Sequence, residues 1–330
     1  MNQVRKAGMF TGLILLLSAY FLIQPSIGSC QDLKYPTRPI KLVVSYSAGG
    51  PTDVTSRTLA DLAGKYLGQE IIVENKTGAG GTVGIRFVLK SKPDGYTIAS
   101  VTGGPIVTTP FFMEVDYNPA TDFNPIIQYA NADHPFFVSA TSPIKTFKGF
   151  IETARKREIM IAGLGFTAPD VTLMRLAAVG KLKFKHVPYT GASQMIPAVL
   201  GGHAEAGCVA GIYEYVRGGK LRILVQTGPS RNKEFPDIPT LKELGYDIET
   251  YTCYGFIAPK GLPEEIREKL EKAFSRAIQD PSFAKVLHTA GFTLMERKGA
   301  DFGRELKEAY EISEKELTKL GLGKFAKEKK

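Results

Sequence analysis

Three short runs of small residues stand where main-chain groups, rather than reactive side chains, could hold a ligand: Ser47 to Thr52, Gly78 to Gly81 and Gly163 to Ala168. Each follows an apolar, strand-like run and opens a helical pattern. A loop that feeds a helix N-terminus exposes N–H groups with no intrahelical acceptor, and the helix dipole adds partial positive charge there. Such loops suit anions, and glycine lets ligand oxygens come close to the main chain. Three or four charge-assisted hydrogen bonds, each worth roughly 1.5–3 kcal/mol, would hold a carboxylate without a buried arginine. Taken singly, each loop reads more simply as a tight strand-to-helix turn.

Other chemistries find no support. Gly78-Ala79-Gly80-Gly81-Thr82-Val83-Gly84 fails the dinucleotide template, because Val83 stands where its third glycine is needed. The P-loop pattern is absent, and so is the G-x-S-x-G nucleophile elbow. The histidines (His134, His186, His203, His288) lie far apart, with no H-E-x-x-H and no cysteine spacing for zinc. His186, beside Val187-Pro188, reads as a strand residue. No catalytic residue, metal or cofactor is expected.

The elements that must position these loops alternate. Ile40 to Val44, Glu70 to Glu74 and Tyr96 to Val101 read as strands. Between them lie a helix begun at Thr52 or Asp53 and stopped by Gly68, and a second helix running to Lys90. The pattern restarts at Phe136-Phe137-Val138. Strands at 159–162, 184–187, 204–210 and 221–226 alternate with helices at 170–179 and 194–200. After a return crossing near Tyr251, Pro263 opens an amphipathic helix, and a last helix spans about 301–320. Strands alternating with helices imply α/β layers, each a mostly parallel sheet flanked by helices.

The N-terminus carries a compartment signal. Arg5 and Lys6 precede the leucine-rich stretch Met9 to Ile23, the charged and apolar parts of a secretory signal and too short for a comfortable membrane span. Ile27-Gly28-Ser29-Cys30 then resembles a bacterial lipobox, which makes residues 1–29 a removable signal and Cys30 the lipid attachment point. Ordinary signal-peptidase cleavage near Gly28 or Ser29 is the alternative. The remainder is expected to be exported. Cys208 and Cys253 sit in apolar surroundings and read as small buried hydrophobes rather than a disulfide. The 330 residues are 43% hydrophobic and 23% charged, which places the chain in the globular class. A net charge of +9 is spread along the sequence, dense only at the tail Lys324, Lys327, Lys329 and Lys330. That distribution argues against nucleic-acid binding.

One family resemblance runs through the chain in order from Tyr35 to about Leu320. Its motifs are Ala48-Gly49-Gly50-Pro51-Thr52-Asp53, Glu74-Asn75-Lys76-Thr77-Gly78-Ala79-Gly80-Gly81 and Pro93-Asp94-Gly95-Tyr96-Thr97. They continue with His186-Val187-Pro188-Tyr189-Thr190-Gly191, Leu200-Gly201-Gly202, Gly219-Lys220-Leu221-Arg222, Phe235-Pro236-Asp237-Ile238-Pro239-Thr240 and Ala258-Pro259-Lys260-Gly261-Leu262-Pro263. Together they resemble the receptors of tripartite tricarboxylate transporters, the Bug or TctC-like family. The resemblance implies a two-lobed periplasmic-binding-protein (Venus flytrap) fold. One lobe would comprise 35–136 plus 255–330 and the other 137–254, with the ligand in the cleft.

It further implies a monomer that captures a small organic carboxylate and delivers it to membrane permease subunits. An extracytoplasmic sensor serving a membrane signalling partner is the alternative. From one lobe the resemblance brings Tyr46, Ser47, Ala48, Gly50, Thr52, Asp53, Gly80, Gly81 and Thr102 to the ligand. From the other it brings Gly165, Thr167, Ala168, Thr190 and Glu205. Asp53 is either a ligand contact or a helix-start residue. Glu205 is either a contact or a hydrogen-bonder behind the site, and Tyr46 either flanks the ligand or packs beneath its loop. Leu164 and Phe166 replace smaller polar residues common in the family, and Tyr254 stands where a tryptophan is common. Such a far wall would suit an aromatic or aliphatic acid better than citrate.

Overall fold

Strand β1 (Ile40–Val44) reads Ile-Lys-Leu-Val-Val and is buried along nearly its whole length, as a strand covered by helices on both faces must be. The computed structural model describes residues 34–325. The signal segment and Cys30 lie outside them. After β1 come α1 (Pro51–Leu67), β2 (Ile71–Asn75), a single turn at Ala79–Gly81, α2 (Thr82–Leu89) and β3 (Thr97–Thr102). Helical turns follow at Gly104–Thr108 and Thr109–Phe111, then β4 (Phe123–Asp133). The middle of the chain forms β5 (Phe136–Ser139), α3 (Phe147–Lys156), β6 (Ile159–Gly163), α4 (Ala168–Gly180), β7 (Phe184–Pro188), α5 (Ala192–Leu200), β8 (Ala206–Cys208), α6 (Tyr213–Arg217) and β9 (Leu221–Val225). The last part is β10 (Tyr251–Pro259), α7 (Glu264–Ile278), α8 (Pro281–Ala290), β11 (Thr293–Lys298) and α9 (Gly299–Leu320).

Two sheets divide these strands between two lobes. One has the order β11-β4-β10-β3-β1-β2, the other β7-β6-β8-β5-β9. In the first, β1 pairs parallel with β2 and β3, whereas β10 runs antiparallel to both β3 and β4, and β11 antiparallel to β4. In the second, β6 is parallel to β7 and β8, and β5 is antiparallel to β8 and β9. The expectation of mostly parallel sheets is therefore corrected to mixed ones. Strands fed by crossover helices are parallel, while those next to the crossings between lobes run the other way. Among the described residues the chain crosses between sheets after β4 and returns into β10.

Each sheet has an apolar core. Phe136, Phe150, Ile159, Leu176 and Leu224 pack on one face of the second sheet, with Phe137, Met195, Ile196 and Ile223 in a separate cluster. Val43, Ile85, Val101, Phe302 and Leu306 do the same in the first. Cys208 and Cys253 are buried free thiols, as their apolar surroundings suggested.

Candidate functional site

Two buried aspartates shape the cleft loops, one in each lobe. Asp53, in the first turn of α1, accepts from the Gly49 N–H (2.9 Å), from Asn75 Nδ2 (2.8 Å) and from Arg57 Nε (3.0 Å). Asn75 Nδ2 also donates to Tyr46 O (2.9 Å), so the 46–50 loop is tied to α1 and β2 at once. Burial alone would raise the Asp53 carboxyl, but the hydrogen bonds from Arg57, Gly49 and Asn75 outweigh it and hold it below the ordinary range. In the other lobe Asp170, in the first turn of α4, accepts from the N–H groups of Leu164 (3.0 Å) and Thr167 (3.0 Å) and from Thr167 Oγ1 (2.8 Å). His186 Nε2 lies 2.9 Å from it.

These loops line one cavity between the lobes. Gly50, Pro51 and Thr52 bring it the N-terminus of α1, Thr167, Ala168 and Pro169 that of α4, and Ala192 that of α5. Tyr46, Thr102, His134, Thr252 and Tyr254 supply the polar walls, and Leu164, Val209 and Ala210 apolar ones. Among the described residues no lysine or arginine lines the cavity. Tyr46 and Thr102 share a hydrogen bond of 2.8 Å, and the Tyr46 hydroxyl also donates to Gly80 O at 3.3 Å. Burial pushes the Tyr46 phenol well above its usual range, which keeps it a neutral donor. The cavity is narrow, with a volume of about 40 Å³.

Around the cavity the lobes touch directly. The Ser47 N–H donates to Thr190 O (3.1 Å), and Ser47 Oγ pairs with Ser193 Oγ (2.7 Å). A Cβ at Gly191 would fall 2.0 Å from Ser47 Oγ, so only glycine permits this approach. Thr108 and Thr109 donate to Phe166 O at 3.0 and 3.2 Å, and the Phe166 ring stacks on Phe112 at 5.1 Å. Arg175 of α4 pairs with Glu316 of α9 at 3.0 Å.

The expected site residues divide accordingly. Tyr46, Gly50, Thr52, Thr102, Thr167 and Ala168 come together on the cavity. Ser47 and Thr190 meet each other on its rim, where Thr190 Oγ1 donates to Gln194 Oε1 (2.9 Å). Ala48 is exposed. Asp53 faces its own loop. The Gly81 N–H is already donated to Gly78 O (2.9 Å), and Gly80 lies against Gly165, so this loop meets the opposite lobe rather than lining the cavity. Glu205 is placed elsewhere. It precedes β8 and takes Arg157 Nη1 and Nη2 (2.9 and 2.5 Å) and the Met160 N–H (3.2 Å). Met160 is the second residue of β6, whereas the cavity lies beyond the other end of that strand at Leu164. Phe166 likewise seals the lobes instead of walling the ligand space, while Leu164 and Tyr254 do line it. His134, Thr252, Val209 and Ala210 were not expected there.

A two-lobed fold whose loops and helix ends line a cavity between the lobes defines a solute-binding protein, and no described helix is long and apolar enough to cross a membrane. The chain belongs to the tripartite tricarboxylate transporter receptor family, whose profile matches residues 55–322. A UPF0065 protein from the gbd 5′ region of Cupriavidus necator is 37% identical over 295 residues, covering 88% of this chain and 90% of that one. The periplasmic binding protein BugD superposes with a TM-score of 0.83 at 29% identity, covering 88% of this chain and 99% of that one. MatC from Rhodopseudomonas palustris, solved with bound malate, gives 0.81 at 26% identity over 85% and 99%. A further R. palustris structure, solved with adipate, gives 0.82 at 25% over 88% and 99%.

Proposed function

We propose that the protein captures a small organic carboxylate in the interlobe cavity and delivers it to the membrane permease subunits of a tripartite transporter. The observation that carries this reading is the convergence of the N-termini of α1, α4 and α5 on a cavity without a lysine or arginine. First-turn N–H groups and helix dipoles favour negative charge, and they do so more strongly where water is excluded. Malate and adipate in two related structures support the same ligand class. The lobes, close to 35–136 plus 255–330 and 137–254, would exchange where the chain leaves β4 and re-enters β10, and would work as a monomer that leaves its ligand chemically unchanged. Tyr46, Gly50, Thr52, Thr102, Thr167 and Ala168 would face the ligand. Asp53 and Asp170 would hold the loops that present it.

A thermal-shift screen of carboxylates, amino acids and sugars tests the reading. Binding to the native state alone adds about 2.7 kcal/mol at one hundred times Kd, so Tm should rise with a subset of carboxylates. Hits confined to sugars would overturn the assignment. Export with lipidation at Cys30 is part of the proposal. Cys30→Ala should release the protein from membranes, and an unacylated mature N-terminus in mass spectrometry would refute it.

A further inference from the structure

His134 stands in the short link between β4 and β5, where the chain leaves one sheet for the other. Its backbone is pinned. The N–H donates to Thr227 Oγ1 (3.1 Å), and the carbonyl accepts from Cys208 Sγ (2.9 Å) and Thr227 Oγ1 (3.1 Å). The ring lines the cavity and is only 3% exposed. Nε2 lies 2.7 Å from Thr252 Oγ1, on the strand that returns between the lobes, whereas Nδ1 is buried with no partner. A buried polar atom left unpaired is costly, and because His134 belongs to the cavity wall a ligand acceptor drawn against the ring would remove that cost. Burial lowers the imidazole pKa to about 4, so the ring is neutral near pH 7 and carries one N–H.

We infer that His134 determines specificity by donating a hydrogen bond from Nδ1–H to a second oxygen-bearing group of the bound acid. This rests on the carboxylate reading above. The helix N-termini hold the first carboxylate, and the neutral imidazole selects acids that carry an acceptor elsewhere. An acceptor on the ligand fixes the tautomer: the proton sits on Nδ1, and Nε2 accepts from the Thr252 hydroxyl. The ligand then bonds to a group that joins both crossing segments, so its second polar group is read at the hinge itself.

The test compares succinate, 4-hydroxybutanoate and butanoate, together with adipate and hexanoate, by calorimetry on wild-type protein and on His134→Phe and His134→Gln. Wild-type protein should prefer succinate or adipate over its monocarboxylate counterpart by at least tenfold. His134→Phe should shrink that preference to within about threefold, and His134→Gln, which keeps an N–H donor, should restore part of it. In the wild type, the Nδ1 and Nε2 resonances of 15N-labelled histidine should report Nδ1–H in the complex. A merely structural His134 would lower Tm without changing the ranking of ligands. Retained discrimination in His134→Phe, or a bound-state Nε2–H tautomer, would overturn the inference while leaving the carboxylate reading intact. Wild-type protein that binds none of the five acids and gives no carboxylate hit in the thermal screen would overturn both.

Discussion

Gly80 offers a direct test of whether lobe closure sets affinity. It occupies the left-handed region (φ 63°, ψ 20°), and a Cβ built there would fall 2.2 Å from Gly165 O, a main-chain atom of the opposite lobe. Real Cβ contacts do not go below 3.0 Å, so Gly80→Ala should part the lobes here by about 0.8 Å. The Thr108 and Thr109 hydrogen bonds to Phe166 O, now 3.0 and 3.2 Å, would be stretched out of range. Two such bonds at 0.5–1.5 kcal/mol each give about 1–3 kcal/mol, or roughly 5- to 150-fold in Kd. Left-handed strain on alanine, about 1–2 kcal/mol, burdens open and closed forms alike. It therefore lowers Tm without changing affinity. Gly202→Ala isolates that strain, having φ +77° and nothing within 4 Å of the added methyl. Calorimetry with the best carboxylate from the thermal screen should find Gly202→Ala close to wild type and Gly80→Ala much weaker. Equal affinities for the two variants would mean that the ligand-bound lobes stand further apart at this contact, and the closure argument would be refuted.

Three further outcomes follow from the same geometry. His134 is neutral when folded with a value near 4 against 6.5 unfolded, so the unfolded chain binds the extra proton between them. Stability should drop by up to about 3 kcal/mol as pH falls across that window, and denaturant titrations of His134→Phe should lack this slope. Asp53→Ala removes the acceptor shared by the Gly49 N–H, Asn75 Nδ2 and Arg57 Nε and should cost about 1–3 kcal/mol together with ligand affinity. In wild-type protein the depressed Asp53 contributes fully above its unfolded value of 3.8 and is lost as pH falls through its lower folded one. Lys76→Ala should change Kd less than about threefold at physiological salt, because Lys76 is paired to Glu74 (2.6 Å) over the Phe87 ring. Loss of binding in that variant would place a side-chain cation in the site.

What the sequence shows and what it hides divides along the range of the interactions. Ile40 to Val44 and the turn through Gly50 to Asp53 are local signals, an apolar run followed by small residues and a helix start, and both form as expected. β4 was not legible, because Asn124, Pro125, Gln128 and Asn131 interrupt its apolar pattern and its pairing with β10 is supplied by distant sequence. The edge strand β11, Thr-Leu-Met-Glu-Arg-Lys, is largely polar for the same tertiary reason. The resemblance named Tyr46, Gly50 and Thr102, and they stand at or just beyond the carboxyl ends of the parallel strands β1 and β3. The resemblance offered Glu205 as a contact or as a hydrogen-bonder behind the site, and a place after Gly201-Gly202 does not say which end of the sheet it occupies; it stands before β8, paired with Arg157. His134 had no local signal at all, since its partner Thr252 lies 118 residues away. The Asp170–His186 pairing was hidden similarly, although the buried first-turn aspartate could have suggested a loop-tying role by analogy with Asp53.

In the proposed reading charge recognition lies on the ends of α1, α4 and α5, and this bears on how such a protein diversifies. Main-chain N–H groups are retained through nearly every amino-acid replacement, so the hold on an anion is largely immune to point mutation. Leu164, Val209, Ala210 and Tyr254, by contrast, contribute shape to the cavity wall and can be exchanged without disturbing that hold. Retargeting the protein from one acid to another thus becomes a matter of repainting one wall of a room whose anchor is built into its frame.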